Sequence, residues 1–263
     1  HPFLTDIAVR EAISLGIDRE LISNELYAGA PSEPPARNLL AGMAIYESPN
    51  TTWEYNPEKA AQILDEAGYV LNGDFREKDG VPLKLRYATT TAPVRTKVQQ
   101  VIKASLADLG FDVELVQVDG SIFFDATNEQ NFTHFYYDMQ EYTDGSTSAF
   151  PINYMKYWYA GPDGENIAQL ENTYTGTNKT RYANADYDAL WEQIGAVATE
   201  QEAIDLFIAM NDHVVENFVE IPIVQLVADR FAARNEFNVD NIAVTAFGDT
   251  YWNIANWNML PQE

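Results

Sequence analysis

Cysteine is missing from this chain of 263 residues, and its absence excludes a disulfide framework, a thiol nucleophile and a thiolate metal site. Basic residues are scarce: 16 Lys and Arg stand against 40 Asp and Glu, a formal net charge of −24. Such an excess repels phosphate backbones and anionic membranes, so nucleic acid is excluded as a partner and the charge reads as a solvated acidic surface. Histidine is reduced to His1, His134 and His213, far apart in sequence, and HExxH, GxSxG, GxGxxG and phosphate-loop patterns do not occur. No run approaches the roughly 18 consecutive apolar residues of a spanning helix, and His1-Pro2-Phe3 has neither the basic nor the apolar region of a signal peptide. As it stands the chain is expected to be soluble, without membrane insertion of its own.

Carboxylates are too common here for a pair such as Asp138 and Glu141 to be read as general acid and base. Asp163, Glu165 and Asn166 lie around two glycines but lack the twelve-residue calcium-loop pattern, and they read as a polar turn. Neither a metal nor a cofactor is expected.

What is present is globular: 46% hydrophobic and 13% aromatic residues over a length that buries a real core. Helix and strand signals alternate, which implies an α/β domain. Asp6 to Tyr27 reads as two short helices, the second capped by Asp18 and closed by Gly29. Prolines 31, 34, 35 and 49 forbid regular structure over most of Ala30 to Tyr55, which is expected to wrap the surface. Asn56 as cap, Pro57 in the first turn and Gly68 after the last bound a helix whose Ala60, Ile63, Leu64 and Ala67 share one face. Leu83 to Tyr87 alternates as a strand, Pro93 to Leu109 has helical spacing at Val94, Val98, Val101, Ile102 and Leu109, and Phe111 to Val118 is a second strand. Strand, helix and strand joined this closely predict parallel neighbours in one sheet. Phe132 to Gln140 and Ile221 to Val227 read as further strands, Asp186 to Ala198 and Glu200 to Phe218 as helices, the last opened by a Thr199/Glu202 capping box. Leu64, Val98, Ile102 and Leu206 are expected in the core.

Four segments carry a resemblance: VREAISLGIDRELISNELYAGAPSEP (Val9 to Pro34), NPEKAAQILDEAGY (Asn56 to Tyr69), VRTKVQQVIKASLADLGFDVEL (Val94 to Leu115) and NKTRYANADYDAL (Asn178 to Leu190). In content and order they resemble the family 5 extracellular solute-binding proteins that deliver oligopeptides and dipeptides to ABC importers, from about residue 5 to about residue 260. The family's mature chains are roughly twice as long as a domain of this size, and these landmarks fall in the second half, so the chain reads as a C-terminal portion. The resemblance implies an α/β lobe of the type II periplasmic-binding-protein fold, a mixed sheet flanked by helices, spanning residues 1–228. It implies a tail over residues 229–263 that crosses a hinge back to the first lobe. It further implies capture without chemistry or cofactor, a peptide or small-molecule ligand, ABC permease subunits as partners, and a periplasmic or extracellular, membrane-anchored location for the intact protein.

The segment with a binding character is Phe132 to Tyr159, where ten aromatics, Tyr142, Tyr154 and Trp158 among them, crowd around Glu141, Asp144 and Gly145. Aromatics with a polar handle suit a face that is half dry and half wet, although alternate aromatics on a strand are equally well core. In peptide-binding members of the resembled family, a strand here ends in a loop with an aromatic followed shortly by an aspartate that holds the peptide α-amino group. The equivalents are Tyr142 and Asp144, with Glu141, Tyr154 and Trp158 as further ligand-binding candidates; the family's usual Trp before the acidic residue is absent, and Met139 and Tyr142 stand near its place. Tyr142 and Asp144 are expected at the C-terminal end of the 132–140 strand, their ring and carboxylate facing open space. Stacked aromatics would serve an oligosaccharide as well as a peptide, and an extracellular hydrolase or a structural module remains a third class, distinguished by whether two catalytic groups reach one point of a cleft.

Overall fold

The computed structural model describes residues 1–28, 34–226, 238, 240 and 253–259. Helices α1 (Ile7–Gly16) and α2 (Arg19–Leu26) start where the aspartates predict: Asp6 accepts from the Ala8 amide and Asp18 from the Leu21 amide, each satisfying an orphan donor of the first turn. Gly16 lets the end of α1 pack directly on Leu109, since a Cβ there would stand 2.7 Å from Leu109 Cδ1. Helix α3 (Pro57–Glu66) has Asn56 as its cap and Pro57 in its first turn, and Gly68 follows with φ +87°. Its Ala60 and Leu64 are fully buried. The expected closure of α2 by Gly29 lies outside the described residues.

Three short strands, β1 (Val70–Asn72), β2 (Phe75–Lys78) and β3 (Val81–Pro82), form an antiparallel meander. Sequence reading passed over it, although Asn72-Gly73 and Asp79-Gly80 are hairpin turn signals and Gly73, Asp79 and Gly80 all take positive φ. The main sheet follows: β4 (Lys84–Thr90), α4 (Pro93–Asp108) and β5 (Asp112–Val118) are a parallel pair with a connecting helix, Leu85 opposite Val113 and Tyr87 opposite Leu115. A third strand, β6 (Met139–Glu141), joins β4 in parallel, so β4 is central and almost wholly buried. Gln99 of α4, completely buried, donates to the carbonyls of Tyr87 and Val116 at 2.7 and 3.0 Å and clasps the helix to both strands. Val98 and Ile102 lie in the same core as Leu64, with α1 and α3 on top of them.

Three expectations need correction. Phe132 to Gln140 is a strand only over β6: Phe132–His134 is a 3-10 turn and Phe135 takes φ +54°. Asn131 caps that turn, its side chain accepting from the amide and hydroxyl of Thr133, which gives the backbone a local alternative to the ladder. Ile221 to Val227 contributes a single bridge, Val224 to Pro35, because Pro222 lacks a donor; Val227 lies outside the described residues. Leu206 is only partly buried, and its neighbour Phe207 is the fully buried residue of that helix turn.

The remainder builds a second core. A short α5 (Gly120–Phe123) leads to β6; beyond it come α6 (Ile152–Met155), α7 (Ala185–Gln193) and α8 (Glu200–Glu216), the last with the predicted reciprocal Thr199/Glu202 cap. Tyr154, Met155, Trp158, Tyr187, Phe207 and Met210 pack here together with Leu39, Leu40 and Tyr46. The proline-containing segment is thus anchored rather than draped: Asn211 of α8 holds the Leu39 amide and the Asn38 side chain at 2.8 Å each. Of the tail expected from Asp229, only 238, 240 and 253–259 are described. No described helix is long and apolar enough to cross a membrane.

Candidate functional site

In open α/β sheets ligands gather beyond the carboxyl ends of the strands, and here that edge holds most of the residues singled out in the sequence. Glu141 is the last residue of β6 and pairs in register with Thr89. Its carboxylate accepts from the Tyr87 hydroxyl, and Thr89 Oγ1 donates to its carbonyl at 2.8 Å. Burial pushes its pKa up to about 7, against the Tyr87 hydrogen bond and the Arg95 charge. Arg95, in the first turn of α4, reaches Thr90 Oγ1 at 3.0 Å and Thr143 Oγ1 at 2.9 Å, tying the end of β4 to the loop after β6.

Tyr142 packs its ring against Phe123, Phe124 and Phe132 at centroid distances of 6.2, 6.0 and 5.2 Å. Burial first, then the nearby Glu220 and Asp144 carboxylates, raise its phenol well above the ordinary value. It therefore belongs to an aromatic cluster rather than to open space. Asp144 is likewise engaged: Oδ1 accepts from Gly145 N at 2.9 Å and Oδ2 pairs with Lys179 Nζ at 3.2 Å. The Lys179 ammonium sits 3.5 Å from the centroid of the Tyr157 ring and 5.2 Å from that of Phe132, a cage of one carboxylate and two aromatics around one cation.

Tyr154 and Trp158, two other candidates, are core residues only 5% and 1% exposed, set edge to face at 5.4 Å. They stand behind the site rather than on its surface. The Trp158 Nε1 donor is buried without a hydrogen-bond partner among the described residues. An exposed aromatic does lie at the same edge, Phe124 at 48% beside Tyr142, whereas the exposed Tyr136 ring stacks on Arg86 toward the other end of the sheet.

Sequence reading missed Lys179 and Glu220. Lys179 stands in the NKTRYANADYDAL segment and Glu220 in the apolar stretch after α8; nothing in local spacing connects either with a loop 35 or more positions earlier. Glu220 is pushed up to about 7, first by burial and then by Asp144, with Lys179 opposing. Among the described residues no group of three His, Cys, Asp or Glu side chains is placed to hold a metal ion.

Comparison with known proteins fits this geometry. Residues 1–166 match the family described as bacterial extracellular solute-binding proteins, family 5 middle. The oligopeptide-binding protein OppA of Mycobacterium tuberculosis is 35% identical over 171 residues, covering 64% of this chain and 28% of that protein. AppA of Bacillus subtilis, also an oligopeptide-binding protein, is 27% identical over 207 residues, 75% of this chain and 34% of its own length. The chain thus spans about a third of these relatives. Among solved structures, the Thermus thermophilus oligopeptide-binding protein complexed with a pentapeptide superposes with a TM-score of 0.74 at 21% identity, covering 84% of this chain and 38% of that one. Bacillus subtilis AppA with a nonapeptide gives 0.72 at 18% identity, over 99% of this chain and 49% of that one. A Thermotoga maritima relative bound to mannohexaose gives 0.68 at 22% identity, over 86% and 42%. The fold is that of the family's periplasmic binding proteins, and this chain belongs to the family 5 extracellular solute-binding proteins.

Proposed function

We propose that this chain is one lobe of a two-lobed receptor that captures a peptide outside the cytoplasm and presents it to an ABC permease, the ligand being enclosed between this lobe and a partner lobe. Capture requires no bond making, so the lobe needs no nucleophile or cofactor; it needs groups that stay unfilled until the ligand arrives. In this reading the end of β6 is the polar end of the cleft. Tyr142, Asp144 and Glu141 form its floor, and Tyr154 and Trp158 support it from the core. The tail after residue 228 returns to the other lobe, and a membrane anchor elsewhere in the intact protein holds the receptor near its permease.

The observation that carries the reading is the convergence of Glu141, Asp144, Lys179 and Glu220 at the C-terminal edge of the sheet in a chain of this family, next to a 35% identical relative named for oligopeptide binding. A second reading has its own support. The exposed ring of Phe124 beside Tyr142 would stack on a sugar, and a relative of the same fold was solved with mannohexaose. Mass spectrometry of small molecules released from the purified full-length protein separates the two. Released peptides support the first reading, and a copurified oligosaccharide transfers the function to the second.

A further inference from the structure

The carboxylate just beyond the end of β6 is already filled from within the chain. Asp144 Oδ2 stands 3.2 Å from Lys179 Nζ, whose side chain is 16% exposed, and the ammonium lies 3.5 Å from the centroid of the Tyr157 ring and 5.2 Å from that of Phe132. Phe132 comes from the turn before β6, Asp144 from the loop after it, Tyr157 from the 3-10 turn beyond α6, and Lys179 from the segment before α7. Lys179 is not a surface lysine that happens to reach across. Its amide donates to the Tyr157 carbonyl at 3.3 Å, and the preceding Asn178, fully buried, donates from its side chain to the carbonyls of Tyr159 and Tyr182 at 3.2 and 2.7 Å. The backbone that carries the ammonium is thus fixed to the residue whose ring receives it.

That arrangement decides what a solute can do here. An ammonium tethered in the same chain competes at an effective concentration on the order of millimolar or more, so a solute amine at micromolar concentration is outcompeted about a thousandfold. Exchange also gains nothing, because one carboxylate–ammonium pair and one cation–ring contact are broken for each one made. The other charged groups of this edge are engaged as well. Glu141 accepts from the Tyr87 hydroxyl, Arg95 donates to the hydroxyls of Thr90 and Thr143, and Glu220 lines a small cavity with Arg19 and Arg37 that is lined by neither Asp144 nor Lys179. What the edge leaves open is uncharged: the ring of Phe124 beside Tyr142, and exposed Thr143 and Gly145 in the loop.

We infer that Lys179 is a specificity-determining residue, a built-in ammonium that keeps Asp144 closed to solute amines, so that this lobe takes peptides without reading a free amino terminus. The inference rests on the peptide reading above and narrows its solute class: a peptide whose amino group is blocked, or one that lies here by an internal stretch, is accepted as readily as one with a free amine. Such a stretch meets the edge through ring contact and through hydrogen bonds to its neutral amides, and the amino terminus contributes nothing at this place.

The test is calorimetry on the full-length protein with penta-alanine and N-acetyl-penta-alanine. The unaltered protein is expected to bind the two with affinities within about threefold of each other. In Lys179→Met the carboxylate and both rings lose their internal cation, and the free amine should then be preferred by about tenfold or more. Lys179→Arg, which keeps the charge, should keep the parity. A merely structural role for Lys179 would weaken both peptides alike and leave the ratio where it was. Parity in Lys179→Met, or a tenfold or greater preference for the free amine in the unaltered protein, overturns the inference and leaves the peptide reading standing. The second of these outcomes needs no variant, so the test survives a Lys179→Met protein that does not fold. An unaltered protein that binds neither peptide removes the peptide reading, and this inference with it.

Discussion

The two ends of the parallel sheet treat charge in opposite ways. At the N-terminal end, the β1–β3 meander is fastened to the α4–β5 turn by Arg76, only 7% exposed: Nε donates to the Leu109 carbonyl at 3.0 Å, and Nη1 donates to the Tyr69 carbonyl at 2.6 Å and pairs with Asp65. A cavity of about 300 Å³ lies at this end and is lined by Asp6, Tyr69 and Lys78, whose polar groups are matched with one another. At the C-terminal end, Glu141 and Glu220 are both held near a pKa of 7 by burial, and one of them has no partner. A fold that only had to persist would not keep two such carboxylates. Paired charge marks the end that holds the lobe together, and strained charge marks the end that waits for something.

Substitutions at the two ends should therefore move stability in opposite directions. Arg76→Met orphans the Leu109 and Tyr69 carbonyls and is expected to cost about 2 to 4 kcal/mol, read as a lower urea midpoint. A loss within error would mean that the meander is held by packing alone. Glu141→Gln should stabilise. Its folded pKa of about 7 lies above the ordinary glutamate value of 4.5, so the folded state holds the proton more tightly. Stability is then complete below about 4.5 and is lost as pH rises through 7. The variant, still able to accept from Tyr87, should gain about 2 kcal/mol at pH 8 and nothing at pH 4. A gain of equal size at both pH values would assign the effect to packing rather than ionisation.

The same contrast governs how much could be read from sequence. The α3 boundaries, the parallel β4–α4–β5 unit and the buried Leu64, Val98 and Ile102 were legible because capping, turn and periodicity signals are local and agree with each other. The 132–140 segment was not, because aromatic residues with strand propensity were overridden by the Asn131 side-chain bond to Thr133. For the site, the position of Glu141, Tyr142 and Asp144 at the strand end was legible, whereas their surroundings were not. Lys179 is 35 residues from Asp144, and Glu220 further still; only the tertiary fold brings them to one edge. Tyr154 and Trp158 show the converse limit, since an aromatic-rich segment does not say which rings face inward.

Lys179→Met carries the smallest expected effect and says the most about the strained end. The pair with Asp144 is partly exposed and the ring contact modest, so removing the ammonium should cost only about 1 kcal/mol at pH 5. Its loss also takes away a charge that draws the Glu220 pKa down. With burial and Asp144 then unopposed, that pKa moves further above 7, and the folded state resists ionisation of Glu220 more strongly. A raised folded pKa means stability lost with rising pH, so the variant should fall behind the unaltered protein by a larger margin at pH 8 than at pH 5. Urea denaturation at the two pH values measures the difference directly. Equal losses at both would show that Lys179 acts through the Tyr157 and Phe132 rings alone and that Glu220 is indifferent to it.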